Sequence, residues 1–197
     1  IVRRIAVSSG ALSYPGSRSV HTRPTPHLGG LAIYIAFASA LIWGMGFSEL
    51  TWGLIAGGGV IVLVGIVDDF AALSPLVKLV GQVAAALVLV GFDVRIDFIS
   101  NPIGGGLLQL GWLAVPLTVI WIVAMTNMVN LIDGLDGLAA GVASIAAITL
   151  LLAAVRMNYQ VGVLLTAALA GSALGFLPYN FNPAKIFMGD AGAMFLG

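Results

Sequence analysis

The chain has 197 residues, 60% of them hydrophobic and only 8% charged, with a mean hydropathy of +1.09. A soluble domain of this size cannot hide so much apolar surface, so the composition points to a polytopic membrane protein. The formal net charge is +0 and cysteine is absent, which argues against nucleic-acid binding and excludes disulfides and thiol chemistry.

In chain order, residues 1–27 are polar and basic, with Arg3, Arg4, Arg18, His21 and Arg23. Pro15, Pro24 and Pro26 argue against a long helix late in this segment, which reads as cytoplasmic or interfacial. Apolar runs predict membrane spans over 28–47, 50–67 and 76–92. The second ends in Asp68-Asp69-Phe70, and the third carries Lys78 and Gln82 in its first turns. Polar and apolar residues then alternate over 93–99, and Asn101-Pro102 and Gly104-Gly105-Gly106 turn the chain. Residues 93–110 therefore predict a short hairpin outside the hydrocarbon. Further spans are expected over 112–129, 138–155 and 161–177, then a loop over 178–190. Residues 191–197 open a seventh span. The 26 glycines suit close helix approach in a membrane. The expected fold is an all-α polytopic membrane protein with six complete transmembrane helices, the start of a seventh and one extracytoplasmic β-hairpin. It reads as one domain over 1–197 and part of a longer bundle, since there is no initiator Met and the last span is unfinished.

Orientation follows from the basic residues. With 1–27 in the cytoplasm and the spans alternating, Arg3, Arg4, Arg18, Arg23, Lys78 and Lys185 are cytoplasmic, and only Arg95 and Arg156 fall outside. Asp68, Asp69, Asp133, Asp136 and Asp190 then share the cytoplasmic face, while Glu49, Asp93 and Asp97 lie outside.

Polar residues concentrate where apolar spans meet, and ionisable groups there are costly unless paired, hydrated or bound to a cation. The central stretch is 127–139, NMVNLIDGLDGLA. On one continuous helix each three-residue step turns about 300°, so Asn127 and Asn130 would be neighbours and Asp136 would lie almost opposite Asn127. Gly134 can end one helix and Asp136 cap the next, and such a break could turn Asp133 and Asp136 toward one pocket. Two capped helices joined by a polar turn is the plain alternative. Asp68-Asp69 ends a span at the negative pole of a helix, where two adjacent acids also repel. Mg²⁺ would relieve both, and a solvated loop is the alternative. In the stretch from Asn180 to Asp190, Asn180 and Lys185 suit base, sugar or phosphate contacts. Asp190 could equally be a helix N-cap. Lys78 could simply snorkel to the interface. His21 and His27 read as surface residues of a proline-rich loop.

A ring of carboxylates with lysines at a membrane–water boundary suits metal-assisted phosphoryl chemistry. A cation transporter is the different-class alternative, but transporters place ionisable groups near the bilayer midplane in broken helices, whereas these cluster at span ends. A CDP-alcohol phosphotransferase would need Ala-Arg soon after the first Asp-Gly, and Leu138-Ala139-Ala140-Gly141 does not supply it.

Four ordered motifs, with Lys78 and Gln82 between them, resemble a family: His21 to Gly30 (HTRPTPHLGG), Gly65 to Phe70 (GIVDDF), Asn127 to Gly141 (NMVNLIDGLDGLAAG) and Pro183 to Gly197 (PAKIFMGDAGAMFLG). The chain resembles the polyprenyl-phosphate N-acetylhexosamine-1-phosphate transferases (glycosyltransferase family 4) over nearly its whole length. The phospho-MurNAc-pentapeptide transferase of peptidoglycan synthesis is a related branch. The resemblance implies transfer of a sugar-1-phosphate, GlcNAc-1-phosphate, from a UDP-sugar to undecaprenyl phosphate, giving undecaprenyl-diphospho-sugar and UMP, with Mg²⁺ or Mn²⁺. It implies a multi-pass plasma-membrane enzyme in the lipid bilayer, with its active site on the cytoplasmic face and a homodimer as one oligomeric option. Carried over by position, Asp68 contacts or deprotonates the lipid phosphate, and Asp69 helps to hold metal and substrate phosphates. Asp190 is the strongest metal-ligand candidate. Asn130, Asp133 and Asp136 line the nucleotide pocket, with Asn180 as a further polar contact, and Lys78 and Lys185 neutralise phosphates. Thr25-Pro26-His27-Leu28-Gly29-Gly30 and Asn130-Leu131-Ile132-Asp133-Gly134 depart from the peptidoglycan branch, which typically carries Thr where His27 and Ile132 stand. Both departures lean toward a UDP-GlcNAc donor.

Overall fold

The computed structural model describes residues 2–8, 10–13, 25–101 and 103–197. Pro15, Arg18, His21, Arg23, Pro24 and Pro102 lie outside the described residues. A short helix α1 (Val2–Ser8) leads to strand β1 (Leu12–Ser13), which pairs antiparallel with β2 (Thr25–Pro26). Then come α2 (Gly29–Met45), α3 (Glu49–Ala71) and α4 (Pro75–Gly91). Strands β3 (Phe98–Ser100) and β4 (Leu107–Gln109) pair antiparallel, Phe98 opposite Gln109. The chain continues as α5 (Ala114–Ile132), α6 (Leu138–Arg156), α7 (Gln160–Asn180) and α8 (Gly189–Leu196). Among the described residues four helical stretches, Glu49–Ala71, Gly111–Ile132, Leu138–Arg156 and Gln160–Asn180, are long and apolar enough to cross a membrane, and α2 and α4 are apolar but shorter. The architecture is that of a multi-pass, mostly helical membrane protein.

Helix ends are set by local chemistry, and this moves some boundaries. α3 runs one turn beyond the apolar run, so Asp68 and Asp69 belong to its last turn. It stops where Ala72 turns left-handed (φ 47) and donates its N–H to the Asp68 carbonyl, 2.9 Å. α4 starts with Pro75, which has no N–H to leave unpaired, after Ser74, whose hydroxyl accepts from Val77 N–H. The predicted loop from residue 178 begins later, because α7 carries Pro178 inside it and ends at Asn180. The predicted break after α5 is present, but Asp136 does not cap α6. Gly137 takes that place with φ +74, and the Asp136 carboxylate turns to the loop after α7.

The short helix α8 is packed against α2, α3 and α5. Contact is backbone to backbone: a Cβ on Gly30 would meet Gly192, and one on Gly65 would meet Ala191. Small residues at these crossings let the helices approach that closely. Around them lie Ile33, Val129, Phe176 and Met188 on one side of α8, and Ile61, Val62 and Met194 on another. The first turn of α8 is thereby held deep among helix ends.

Candidate active site

The last turn of α3, the first turn of α4, the last turn of α5 and the first turn of α8 meet at one end of the bundle. Beside them opens a cavity of about 530 Å³ whose wall includes His27, Asp68, Asp69, Asp133, Asp136, Asn180 and Asp190, with Lys78 and Asn130 behind the wall on Asp190. Carboxylates from three separate stretches of sequence thus face one space.

Asp68 is 5% exposed. Its Oδ1 accepts from Leu73 N–H at 2.8 Å, and its Oδ2 is ion-paired with Lys78. Lys78 also reaches Asp190 Oδ2 at 3.2 Å. A lysine in the first turn of α4 thus offsets an acid at the negative end of α3, and it does not snorkel away. Asp190 lies in the first turn of α8, where the helix dipole favours an anion. Its Oδ1 accepts from Asn130 Nδ2 at 2.6 Å.

Asp69 caps α8 from another helix: its Oδ1 accepts from Asp190 N–H at 2.9 Å. Gly189 makes this approach possible. It has φ +72, and a Cβ there would lie 2.5 Å from Asp69 Oδ2. Asp69 Oδ2 is buried without a hydrogen-bond partner. A buried anionic oxygen left open is costly, and it asks for a cation or a donor group. Asp190 supplies a second hard oxygen donor beside it. Among the described residues no three His, Cys, Asp or Glu side chains form a ready ligand set. A hard divalent ion that uses one or two carboxylates and completes its shell with water and substrate phosphate fits this donor set.

Asp133 follows the last residue of α5, and burial pushes its pKa up to about 6, with the charges of Asp190 and Asp136 adding to the rise. Asp136 Oδ2 accepts from Ala184 N–H at 3.0 Å and Asn182 Nδ2 at 3.3 Å, which ties the 134–137 turn to the 181–188 loop. Asn180 is 2% exposed, with its Oδ1 accepting from Gly137 N–H at 3.1 Å and its Nδ2 donating to the Ile186 carbonyl at 3.2 Å. Its amide is therefore committed to holding the two loops together, although it touches the cavity. Lys185 is exposed and lies off the cavity wall, its backbone N–H held by the Tyr179 carbonyl at 2.8 Å.

His27 is not the surface residue expected. It bridges Phe187 in parallel pairing, Phe187 N–H donates to the Pro26 carbonyl at 2.8 Å, and Gly29 N–H to the Phe187 carbonyl at 2.9 Å. These bonds carry the imidazole onto the cavity wall. Burial lowers its pKa, opposed by a hydrogen bond to the Asp69 backbone and by the charge of Asp190. Its Nε2 is buried without a partner. The adjoining Gly29-Gly30 was the available sequence signal, since paired glycines mark close backbone approach.

The sequence model of glycosyl transferase family 4 matches residues 51–197. A probable undecaprenyl-phosphate N-acetylglucosaminyl 1-phosphate transferase of Bacillus subtilis is 44% identical over 100% of this chain and 55% of its own length. A decaprenyl-phosphate N-acetylglucosaminephosphotransferase of Mycolicibacterium smegmatis is 40% identical over 100% of this chain and 53% of its own. A phospho-N-acetylmuramoyl-pentapeptide-transferase of Limosilactobacillus reuteri is 36% identical over 88% of this chain and 58% of its own. The chain spans about half the length of the curated relatives it matches.

Proposed function

The chain belongs to glycosyl transferase family 4, and from that premise we propose that its protein transfers GlcNAc-1-phosphate from UDP-GlcNAc to undecaprenyl phosphate. The products are undecaprenyl-diphospho-GlcNAc and UMP. The observation that carries the reading is the open carboxylate oxygen of Asp69 beside Asp190, in a cavity at the ends of apolar helices. Such a place receives a polar diphosphate from water and a phosphate headgroup from the bilayer. The relatives named for N-acetylglucosamine transfer that are cited above are 44% and 40% identical to the chain against 36% for the muramoyl-pentapeptide one, which favours the N-acetylglucosamine donor.

In this reading Asp69 and Asp190 hold Mg²⁺, which when bound screens the diphosphate and polarises its P–O bonds. Lys78 is shared between two carboxylates in the free protein and turns toward substrate phosphate when that arrives, leaving Asp68 to orient the lipid phosphate or take its proton. An oxygen of the lipid phosphate attacks the sugar-bearing phosphorus, the bond to the UMP oxygen breaks, and UMP leaves. Asn130 keeps Asp190 aimed, and Asp133 and Asp136 receive the hydroxyl and N–H donors of the nucleotide. We place this cavity on the cytoplasmic face of the plasma membrane, with six spans, α8 opening a seventh, and the β3–β4 hairpin outside, from the distribution of basic residues. The test is a radiolabelled-sugar transfer assay on the complete protein with undecaprenyl phosphate, comparing UDP-GlcNAc with UDP-MurNAc-pentapeptide. Label in the lipid fraction from UDP-GlcNAc supports the proposal. Transfer from the pentapeptide donor alone overturns the donor, and no lipid-linked sugar from either overturns the reaction.

A further inference from the structure

One turn below Asp190 the same three helices meet again through a second polar layer. The upper layer is Lys78 from α4, Asn130 from α5 and Asp190 from α8. The lower layer is Gln82, Asn127 and Met194, each one helical turn away on the same helix. Gln82 is 1% exposed and Met194 2%. The two carboxamides bond reciprocally: Asn127 Nδ2 donates to Gln82 Oε1 at 2.7 Å, and Gln82 Nε2 donates to Asn127 Oδ1 at 3.3 Å. The remaining N–H of Asn127 goes to the Val123 carbonyl at 2.7 Å, and that of Gln82 faces Met194 Sδ at 3.7 Å. Every amide hydrogen in the layer is used. A fully satisfied polar pair between apolar helices permits one register and one rotation, whereas aliphatic side chains would allow several.

We propose that the Gln82–Asn127 pair is a positioning device for the reaction: by fixing α4 against α5 it brings Lys78 and Asn130 onto the two oxygens of Asp190. Neither carboxamide lines the cavity, and nor do Lys78 and Asn130, so the pair acts on the site through Asp190, the member of the upper layer that stands on the wall. A sliding of α4 by a fraction of a turn would draw Lys78 from Asp190 while leaving the residues of the cavity wall in place.

The inference rests on the proposed transferase reading, so its test uses two readouts on the complete protein in lipid nanodiscs. One is the kcat and KM for UDP-GlcNAc, and the other is Mn²⁺ affinity by electron paramagnetic resonance, which needs no turnover. Gln82→Met keeps side-chain length and removes the amide, and Gln82→Asn keeps the amide but pulls it back by one methylene. Each is expected to lower kcat and Mn²⁺ affinity about 10-fold with KM changed less than 3-fold. Gln82→Asn combined with Asn127→Gln restores the span of the pair and is expected to recover at least half of both losses. The proposal is overturned if Gln82→Asn stays within 2-fold of the natural protein, or if the exchanged pair does no better than Gln82→Asn alone. A natural protein that binds Mn²⁺ but transfers no sugar refutes the transferase reading and leaves the positioning test to the metal readout.

Discussion

Replacing Asp69 by Asn separates what this carboxylate does for the fold from what it does for the site. The fold uses Oδ1, which accepts the Asp190 N–H at 2.9 Å, and an Asn side-chain oxygen can accept the same bond. A hydrogen bond to a charged group contributes roughly 1.5–3 kcal/mol and a neutral one roughly 0.5–1.5 kcal/mol, so the exchange costs about 1 kcal/mol. The same exchange removes the cost of an unpaired buried anionic oxygen at Oδ2, so for a domain of this size the thermal midpoint is expected to fall by no more than about 2–4 °C. The site uses Oδ2, the buried oxygen with no partner, and Asn puts a donor NH₂ there that cannot ligate a cation. On the proposed metal reading, loss of one of two anionic ligands is expected to lower transfer at least 10³-fold, about 4 kcal/mol. Thermal unfolding followed by intrinsic fluorescence, Mn²⁺ binding and lipid-linked sugar formation are measured on the same preparation. Transfer above a tenth of the natural rate would refute the assignment of Oδ2 to the ion. A fall in midpoint beyond about 10 °C would refute the separation of roles.

Gly189→Ala forces a side chain into a left-handed residue and against Asp69 Oδ2. Its thermal midpoint is expected to fall further than that of Asp69→Asn, by about 1–2 kcal/mol of backbone cost plus the displaced cap. Asp133 has its folded pKa raised to about 6 from 3.8, mainly by burial. It therefore contributes stability that is fully present below about pH 4 and is lost as pH rises through about 6. Thermal midpoints from pH 4 to 7 should show this loss in the natural protein, and Asp133→Asn should flatten it.

The legible part of the fold was the part written in local hydropathy and local capping. Apolar runs place every long helix within a few residues, because crossing a bilayer demands an uninterrupted stretch. Alternation of spans also puts Asp68, Asp69 and Asp190 at one end, and in the folded chain they share one cavity. What local pattern could not reveal was contact between distant backbones. His27 is carried onto the cavity wall by pairing with Phe187, 160 positions along the chain. The role of Asn180 as a tie between loops depends on where Gly137 and Ile186 come to rest. Asp136 looked like a cap because it stands just before a helix, yet its carboxylate finds donors in the loop after α7. Lys185 shares a loop with Asp190, but the bonds of its backbone to Tyr179 leave its side chain on the outside.

His27 and Ile132 stand where the peptidoglycan branch typically carries Thr, and the structure separates them. Ile132 closes α5, half-buried and off the cavity wall. His27 is on the wall, and its Nε2 is buried without a partner. If donor preference is written in either residue, contact requires that it be His27. His27→Thr shortens the side chain, removes the Nε2 acceptor and leaves a hydroxyl further from the cavity centre. One lost hydrogen-bond partner for a bound substrate costs about 1–3 kcal/mol, or roughly 5- to 150-fold at 1.4 kcal/mol per tenfold. The ratio of kcat/KM for UDP-GlcNAc over UDP-MurNAc-pentapeptide is expected to fall by at least 5-fold in His27→Thr and to stay within 2-fold in Ile132→Thr. The comparison is made at matched donor concentrations on the complete protein. A ratio unmoved by His27→Thr but shifted by Ile132→Thr would mean that selection acts through the end of α5 and not at the wall, and contact with Nε2 of His27 would no longer account for the donor.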